Sequence, residues 1–194
     1  MDNSTEKMAI SRRNLIIGTA SVAGLALVPE QLLAGISRKS KRSLYHSSRF
    51  LAFENLHTGE MAKFTYWENG RYIKSTLSEI NHILRDHRTD EVARIDVNLL
   101  NHLFALHAKL DSKKPFQIIS GYRSPKTNAK LRRTSSGVAK KSLHMQGRAI
   151  DVNIEGVSLS RLRKAAIDMK FGGVGYYPES SFIHIDTGDI RQWG

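Results

Sequence analysis

Apolar positions recur with two periods along this chain, and each change of period marks a new element. Phe50 to His57 and Glu60 to Trp67 flank His57-Thr58-Gly59 and predict a β-hairpin. The period then turns helical. Leu77, Ile80, Ile83 and Leu84 share a face over Thr76 to His87, and Leu99, Leu100, Leu103, Phe104, Leu106 and Leu110 do so more strongly over Asp96 to Leu110. Asp96 stands where an N-cap belongs. Phe116 to Ser120 reads as a short apolar strand ended by Gly121, Pro125 to Arg133 as a helix, and Thr134 to Ser142 as a polar loop containing glycine. Arg148 to Ile154 is a strand and Ser158 to Lys170 a helix opened by serine; after a break at Gly172-Gly173, Val174 to Tyr177 and Phe182 to Asp186 are two more short strands. Helices fall before and between strands without a βαβαβ rhythm, and no repeat appears. The pattern predicts an α+β fold.

The N-terminal residues follow another rule. Arg12-Arg13 directly precedes an apolar run from Leu15 to Val28, 14 residues long and so shorter than a membrane span. A charged start, a short apolar stretch and paired arginines resemble a bacterial twin-arginine (Tat) export signal over residues 1–34, which implies the periplasm as destination. Leu33-Ala34 before Gly35 offers a cleavage site; left uncut, the segment becomes the chain's membrane anchor. Residues 35–49, with Ser37 to Ser43 polar and basic, read as a linker, and residues 50–194 as the folded domain.

Composition narrows the chemistry. At 194 residues the chain has room for one domain plus a short extension. Cysteine is absent, which removes disulfides, thiolate metal sites and a cysteine nucleophile, so any metal falls to His, Asp or Glu. The formal charge is +12, and residues 1–34 carry three basic and three acidic side chains, so the export segment explains none of it. Between Ser112 and Ile150 there are ten basic residues, among them Lys140 and Lys141, and no acidic one. Such a concentration points to an anionic partner. Nucleic acid fits the charge, but no helix-turn-helix or RNA-recognition signature is present, and the export segment argues against it.

Alternation supplies candidate ligands. In the strand after Gly147, Ile150, Val152 and Ile154 take one face and Asp151 the other; in the last strand Ile183 and Ile185 take the core face while His184 and Asp186 share the opposite one. His144, Asp151 and His184 can therefore meet at one point. Two imidazoles and a carboxylate, with a fourth position for water, make a catalytic zinc site. The plainer alternative is a solvated aspartate beside a core histidine.

The segment Ser142-Leu143-His144-Met145-Gln146-Gly147-Arg148-Ala149-Ile150-Asp151 matches S-x-H-x-x-G-x-A-x-D, and Ile119 to Ser124 reads I-S-G-Y-R-S. With Phe182-Ile183-His184-Ile185-Asp186, these resemble the zinc D-Ala-D-Ala peptidases, the superfamily of VanX-type dipeptidases, phage endolysin peptidases and the hedgehog fold. The resemblance implies a small, mainly antiparallel central sheet with flanking helices, and His144, Asp151 and His184 as ligands of Zn2+. It further implies hydrolysis of peptide cross-links in peptidoglycan during wall growth or remodelling, with peptide stems as the partner. Arg123 then binds the substrate carboxylate or polarises the scissile carbonyl, with Ser120 and Tyr122 beside it in the groove. One departure stands out. Many members carry a glutamate base three residues before the last histidine, where this chain has Ser181, and Glu179 lies on the wrong alternation phase. Asp186 takes the base role in this reading, with orientation of a ligand histidine as its alternative. A catalytically silent peptidoglycan binder is the alternative for the whole chain. His46, His57, His82, His87, His102 and His107 receive no function.

Overall fold

Strand pairing starts at Ser48 in the computed structural model, which describes residues 48–135 and 137–194. The export segment and the linker up to Ser47 lie outside the described residues. The last two linker residues of the sequence reading are strand, because Ser48 and Arg49 pair with Glu68 and Trp67.

Strands β1 (Ser48–Asn55) and β2 (Met61–Glu68) form the hairpin, followed by a short β3 (Arg71–Tyr72). The hairpin opens at Asn55, earlier than apolar character alone predicts. There the side-chain oxygen accepts the His57 N–H at 3.0 Å and the side-chain nitrogen donates to the Ile83 carbonyl at 2.9 Å. Helix α1 (Lys74–Ile83) and helix α2 (Val97–Leu110) come next, the second capped by Asp96, which accepts the Asn98 N–H at 2.9 Å. After β4 (Phe116–Ser120) and α3 (Pro125–Thr134), a single 3-10 turn (Leu143–Gln146) leads into β5 (Ala149–Ile154). Helix α4 (Leu159–Met169) precedes β6 (Gly173–Tyr177), β7 (Phe182–Asp186) and β8 (Arg191–Trp193).

All strands join one sheet of order β3-β2-β1-β4-β5-β7-β6-β8. Only β1·β4 and β6·β8 are parallel; the other neighbours run antiparallel. The α+β class stands, but eight strands are more than a small sheet. The hairpin and the last strand extend it at both ends instead of forming separate layers.

Helix α2 packs against β1 and α4, and α4 covers β5, β6 and β7. Leu99, Leu100, Leu103, Leu106 and Leu110 of α2 are buried, as are Leu162, Ala165 and Ala166 of α4, against Ile150, Val152, Ile154, Ile183 and Ile185 of the sheet. Each buried Leu or Ile contributes about 1.5–3 kcal/mol relative to exposure. The same alternation that sends these isoleucines to the core turns Asp151, His184 and Asp186 to the other face. Among the described residues no helix is long and apolar enough to cross a membrane.

Candidate active site

The first ligand is placed by backbone. Ser142 caps the 3-10 turn by accepting the His144 N–H at 3.3 Å, and Gly147 ends it in a left-handed conformation at φ 65°. A Cβ on Gly147 would lie 2.1 Å from the Arg94 carbonyl oxygen, so only glycine fits. The turn drives the His144 ring under Gly121, whose carbonyl accepts from Nδ1 at 2.7 Å. A carbonyl only accepts, so the proton sits on Nδ1 and Nε2 presents a lone pair. Gly121 is itself clasped. A Cβ there would be 2.4 Å from the Leu84 carbonyl oxygen, which takes the Tyr122 N–H at 2.7 Å, while the Arg123 N–H reaches the His144 carbonyl at 3.2 Å. Beneath this loop the buried Asp86 carboxylate accepts the Ser124 and Arg88 N–H groups at 2.9 and 3.0 Å. Burial works against that charge, but the donors from Thr127 and Ser124 outweigh it and hold Asp86 down at about 2.

The other two ligands come from paired strands. Asp151 of β5 and His184 of β7 are direct cross-strand partners. Asp151 Oδ1 lies 3.2 Å from His144 Nε2 and 2.9 Å from His184 Nδ1, and the two ring nitrogens are 3.2 Å apart. Among the described residues this is the one group of His, Asp and Glu side chains that converges tightly enough to hold a metal ion.

His184 is held from behind by side chains. Its Nε2 faces Asp186 Oδ2 at 3.0 Å. Asp186 is wholly buried; Oδ1 accepts the Gly173 and Gly188 N–H groups at 3.0 and 2.8 Å, and Oδ2 accepts from Arg191 Nη2 at 2.7 Å. Burial opposes its charge, yet His184 and these donors keep its carboxyl well below the ordinary carboxylate range. Asp151 is likewise held low by the two histidines against the cost of its burial. Desolvation lowers the affinity of His144 for a second proton, while for His184 the carboxylates of Asp151 and Asp186 overcome desolvation and raise it.

With the second nitrogen of each histidine already engaged, His144 Nε2, His184 Nδ1 and Asp151 Oδ1 face one another, and the raised proton affinity of His184 marks a place that takes up positive charge. Such an arrangement calls for a cation, and nitrogen–nitrogen–oxygen donors with an open side suit Zn2+. The residues present fit the ion that the sequence implies.

The three ligand atoms open onto a cavity of about 380 Å3 that Arg123, Lys141, Tyr177, Phe182, Arg191 and Trp193 also line. Arg123 Nη2 lies 3.5 Å from Asp151 Oδ2 and 3.4 Å from Ser120 Oγ, while its Nε–H is buried without a partner. Not every candidate arrives there. Tyr122 is partly buried against the core, because Gly121 ends the strand alternation and the Tyr122 N–H is tied to Leu84. Ser120 pairs with Asp151 across β4 and β5 and accepts from Arg123, but Ser120, Glu179 and Ser181 do not line the cavity. Ser181 occupies the β6–β7 turn with a left-handed φ of 56°. Tyr177, Arg191 and Trp193 are residues that the sequence reading passed over. The signal available for them was the alternate pair Gly173 and Gly175, since glycine inside a strand marks close approach.

The class this arrangement defines is that of the M15 peptidases, in which the sequence motifs and the fold agree. Residues 43–193 match the family model described as peptidoglycan L,D-endopeptidase MepK, and the chain belongs to that family. The peptidoglycan L,D-endopeptidase MepK of Escherichia coli K12 is 44% identical over 188 residues, covering 97% of this chain and all of the relative, and that of Shigella flexneri matches equally. The probable peptidoglycan L,D-endopeptidase MepK of Haemophilus influenzae is 37% identical over 171 residues, 88% of each chain.

Proposed function

We propose that the chain is a zinc-dependent peptidoglycan endopeptidase that hydrolyses an L,D amide bond in the peptide cross-links, acting in the periplasm after export by its twin-arginine segment. The observation that carries this reading is the convergence of His144 Nε2, Asp151 Oδ1 and His184 Nδ1, each histidine with its second nitrogen already committed. These three atoms hold the ion. Bound there, Zn2+ supplies Lewis acidity and lowers the pKa of a coordinated water to roughly 7.

The chain's own residues do the rest. Arg123 keeps a fixed charge at the cavity, placed to attract an anionic oxygen of the substrate. Asp186 fits the orienting role better than the base role. Its carboxylate lies behind the His184 ring, is closed to solvent and has both oxygens occupied, so it fixes the tautomer that leaves Nδ1 bare. Lys141 at the rim and the basic stretch around it attract the carboxylates of peptide stems. The silent-binder alternative rests on Ser181 alone, and a ligand set this complete disfavours it.

The test is to incubate the zinc-loaded chain with purified sacculi and identify the released muropeptides. Cleaved L,D cross-links support the reading. Intact cross-links with zinc bound at one equivalent would sink it in favour of the binder.

A further inference from the structure

Arg191 and Trp193 reach the site from β8, although β6 lies between them and β7. Two missing side chains make the passage. A Cβ at Gly173 would sit 2.6 Å from Asp186 Oδ2 and 2.7 Å from Arg191 Nη1, and one at Gly175 would sit 2.7 Å from the Trp193 indole. Through this gap Trp193 tilts against the His184 ring, with centroids 5.3 Å apart and planes at 50°. Its Nε1–H then donates to the Tyr177 hydroxyl oxygen at 3.0 Å. The Tyr177 ring is fixed from the other side by stacking on its cross-strand partner Phe182, with centroids at 4.6 Å and planes at 23°.

An indole N–H only donates, so the Tyr177 oxygen is the acceptor in that bond and keeps its own proton to give. Among the described residues that proton has no acceptor. Tyr177 and Arg123 line the same cavity as the three ligands. A hydroxyl aimed by one neighbour and immobilised by another, beside a fixed cation, is a preorganised donor for negative charge.

We propose that Tyr177 hydrogen-bonds an anionic oxygen of the substrate, either a stem carboxylate or the scissile carbonyl oxygen as charge develops on it, and that Trp193 is the positioning residue that aims it. The interaction is a hydrogen bond with no proton transferred. The identity of the substrate rests on the endopeptidase reading above.

The experiment uses the zinc-loaded full chain and cross-linked muropeptides released from sacculi, with zinc content measured on the same samples. Tyr177→Phe, which keeps the ring stack, should retain its zinc and lose roughly 10–100-fold in kcat/KM, the range for a hydrogen bond to a charged group. Trp193→Phe should fall in the same direction, and the double variant should be no worse than Tyr177→Phe. A rise in KM alone assigns the contact to a carboxylate of the bound substrate; a fall in kcat alone assigns it to the developing oxyanion. Wild-type kcat/KM in Tyr177→Phe, or losses that multiply in the double variant, would overturn the proposal. The indole 1H–15N resonance of Trp193, identified with Trp67→Phe, gives a readout independent of turnover. It should move in Tyr177→Phe and again when muropeptide is added to the wild type. No movement at saturating muropeptide overturns the contact. Movement without cleavage by the wild type keeps the contact and overturns the endopeptidase reading instead.

Discussion

The two histidines of the site are held in opposite ways. His144 leans on a backbone carbonyl within a knot of loops, where Gly121 meets Leu84 and Gly147 meets Arg94 too closely for a side chain at either glycine. His184 leans on a buried carboxylate that is itself clamped by two N–H groups and an arginine. A carbonyl fixes the ring without adding charge; a carboxylate fixes it and makes its lone pair more basic. One support is therefore encoded in chain geometry and tested through stability. The other is encoded in side-chain chemistry and tested through metal affinity.

The largest effect removes a ligand. His144→Ala, Asp151→Ala and His184→Ala should each abolish cleavage and empty the site of zinc in equilibrium dialysis, since three ligands leave no redundancy. Full zinc content in any of them would exclude that residue. Next comes the His184 support. Asp186→Asn should bind zinc roughly 10–100-fold more weakly in competition with a chelator while the fold survives. Unchanged affinity together with lost turnover would return Asp186 to the role of base, and Glu179→Gln should be indistinguishable from wild type in both measurements. On the His144 side, Gly121→Ala must displace Leu84 and should cost about 1–3 kcal/mol in denaturant unfolding. A loss of zinc affinity there without a loss of stability would break the distinction between the two supports.

Smaller effects come from the periphery. Lys141 lines the cavity and Lys140 does not, so Lys141→Ser should weaken sacculus binding at low salt more than Lys140→Ser. Both differences should vanish near ~1 M salt, where the Debye length is about 3 Å. Equal effects at all salt concentrations would make the run a solvated face. The smallest effect concerns pH. His87 stacks on His57 with centroids 3.8 Å apart, and burial, then Arg88 and His57, push its pKa down to about 4. The unfolded chain, with His near 6.5, binds more protons between those values, so stability falls as pH drops from about 6.5 towards 4. His87→Gln should flatten that slope by less than about 1 kcal/mol, given screening at this partly exposed site. Asp86 acts lower. Its support is complete above about pH 4 and is lost as pH falls towards 2.

Periodicity located the long elements because burial imposes it. Helix α2 ends at Leu110 and β4 and β7 have the bounds that apolar alternation predicts. It missed β3 and β8, two and three residues long, which join the sheet at its edges through backbone pairing and carry no apolar pattern to read. The same limit governs the site. Alternation puts His184 and Asp186 on one face, but a ring has two nitrogens, and only the cross-strand register with Asp151 decides which one faces the ligands. Tyr122, which the resemblance sets beside Arg123, packs against the core, because after Gly121 its N–H is tied to the Leu84 carbonyl. Trp193 reaches the His184 ring across β6 over Gly175 and meets Tyr177 at the end of that strand, a relation no local reading of residues 191–193 contains.

The place of Trp193 also gives the protein a built-in optical gauge. Only two tryptophans are present, and the other, Trp67, lies on β2 under the Arg49 guanidinium, with five strands between it and β8 in the sheet order. A paramagnetic ion such as Co2+ or Cu2+ exchanged into the site should quench the emission of the indole that leans on His184 and spare the distant one. Loading of the centre, its competition by zinc and its release to a chelator then become visible in the fluorescence of the unlabelled protein.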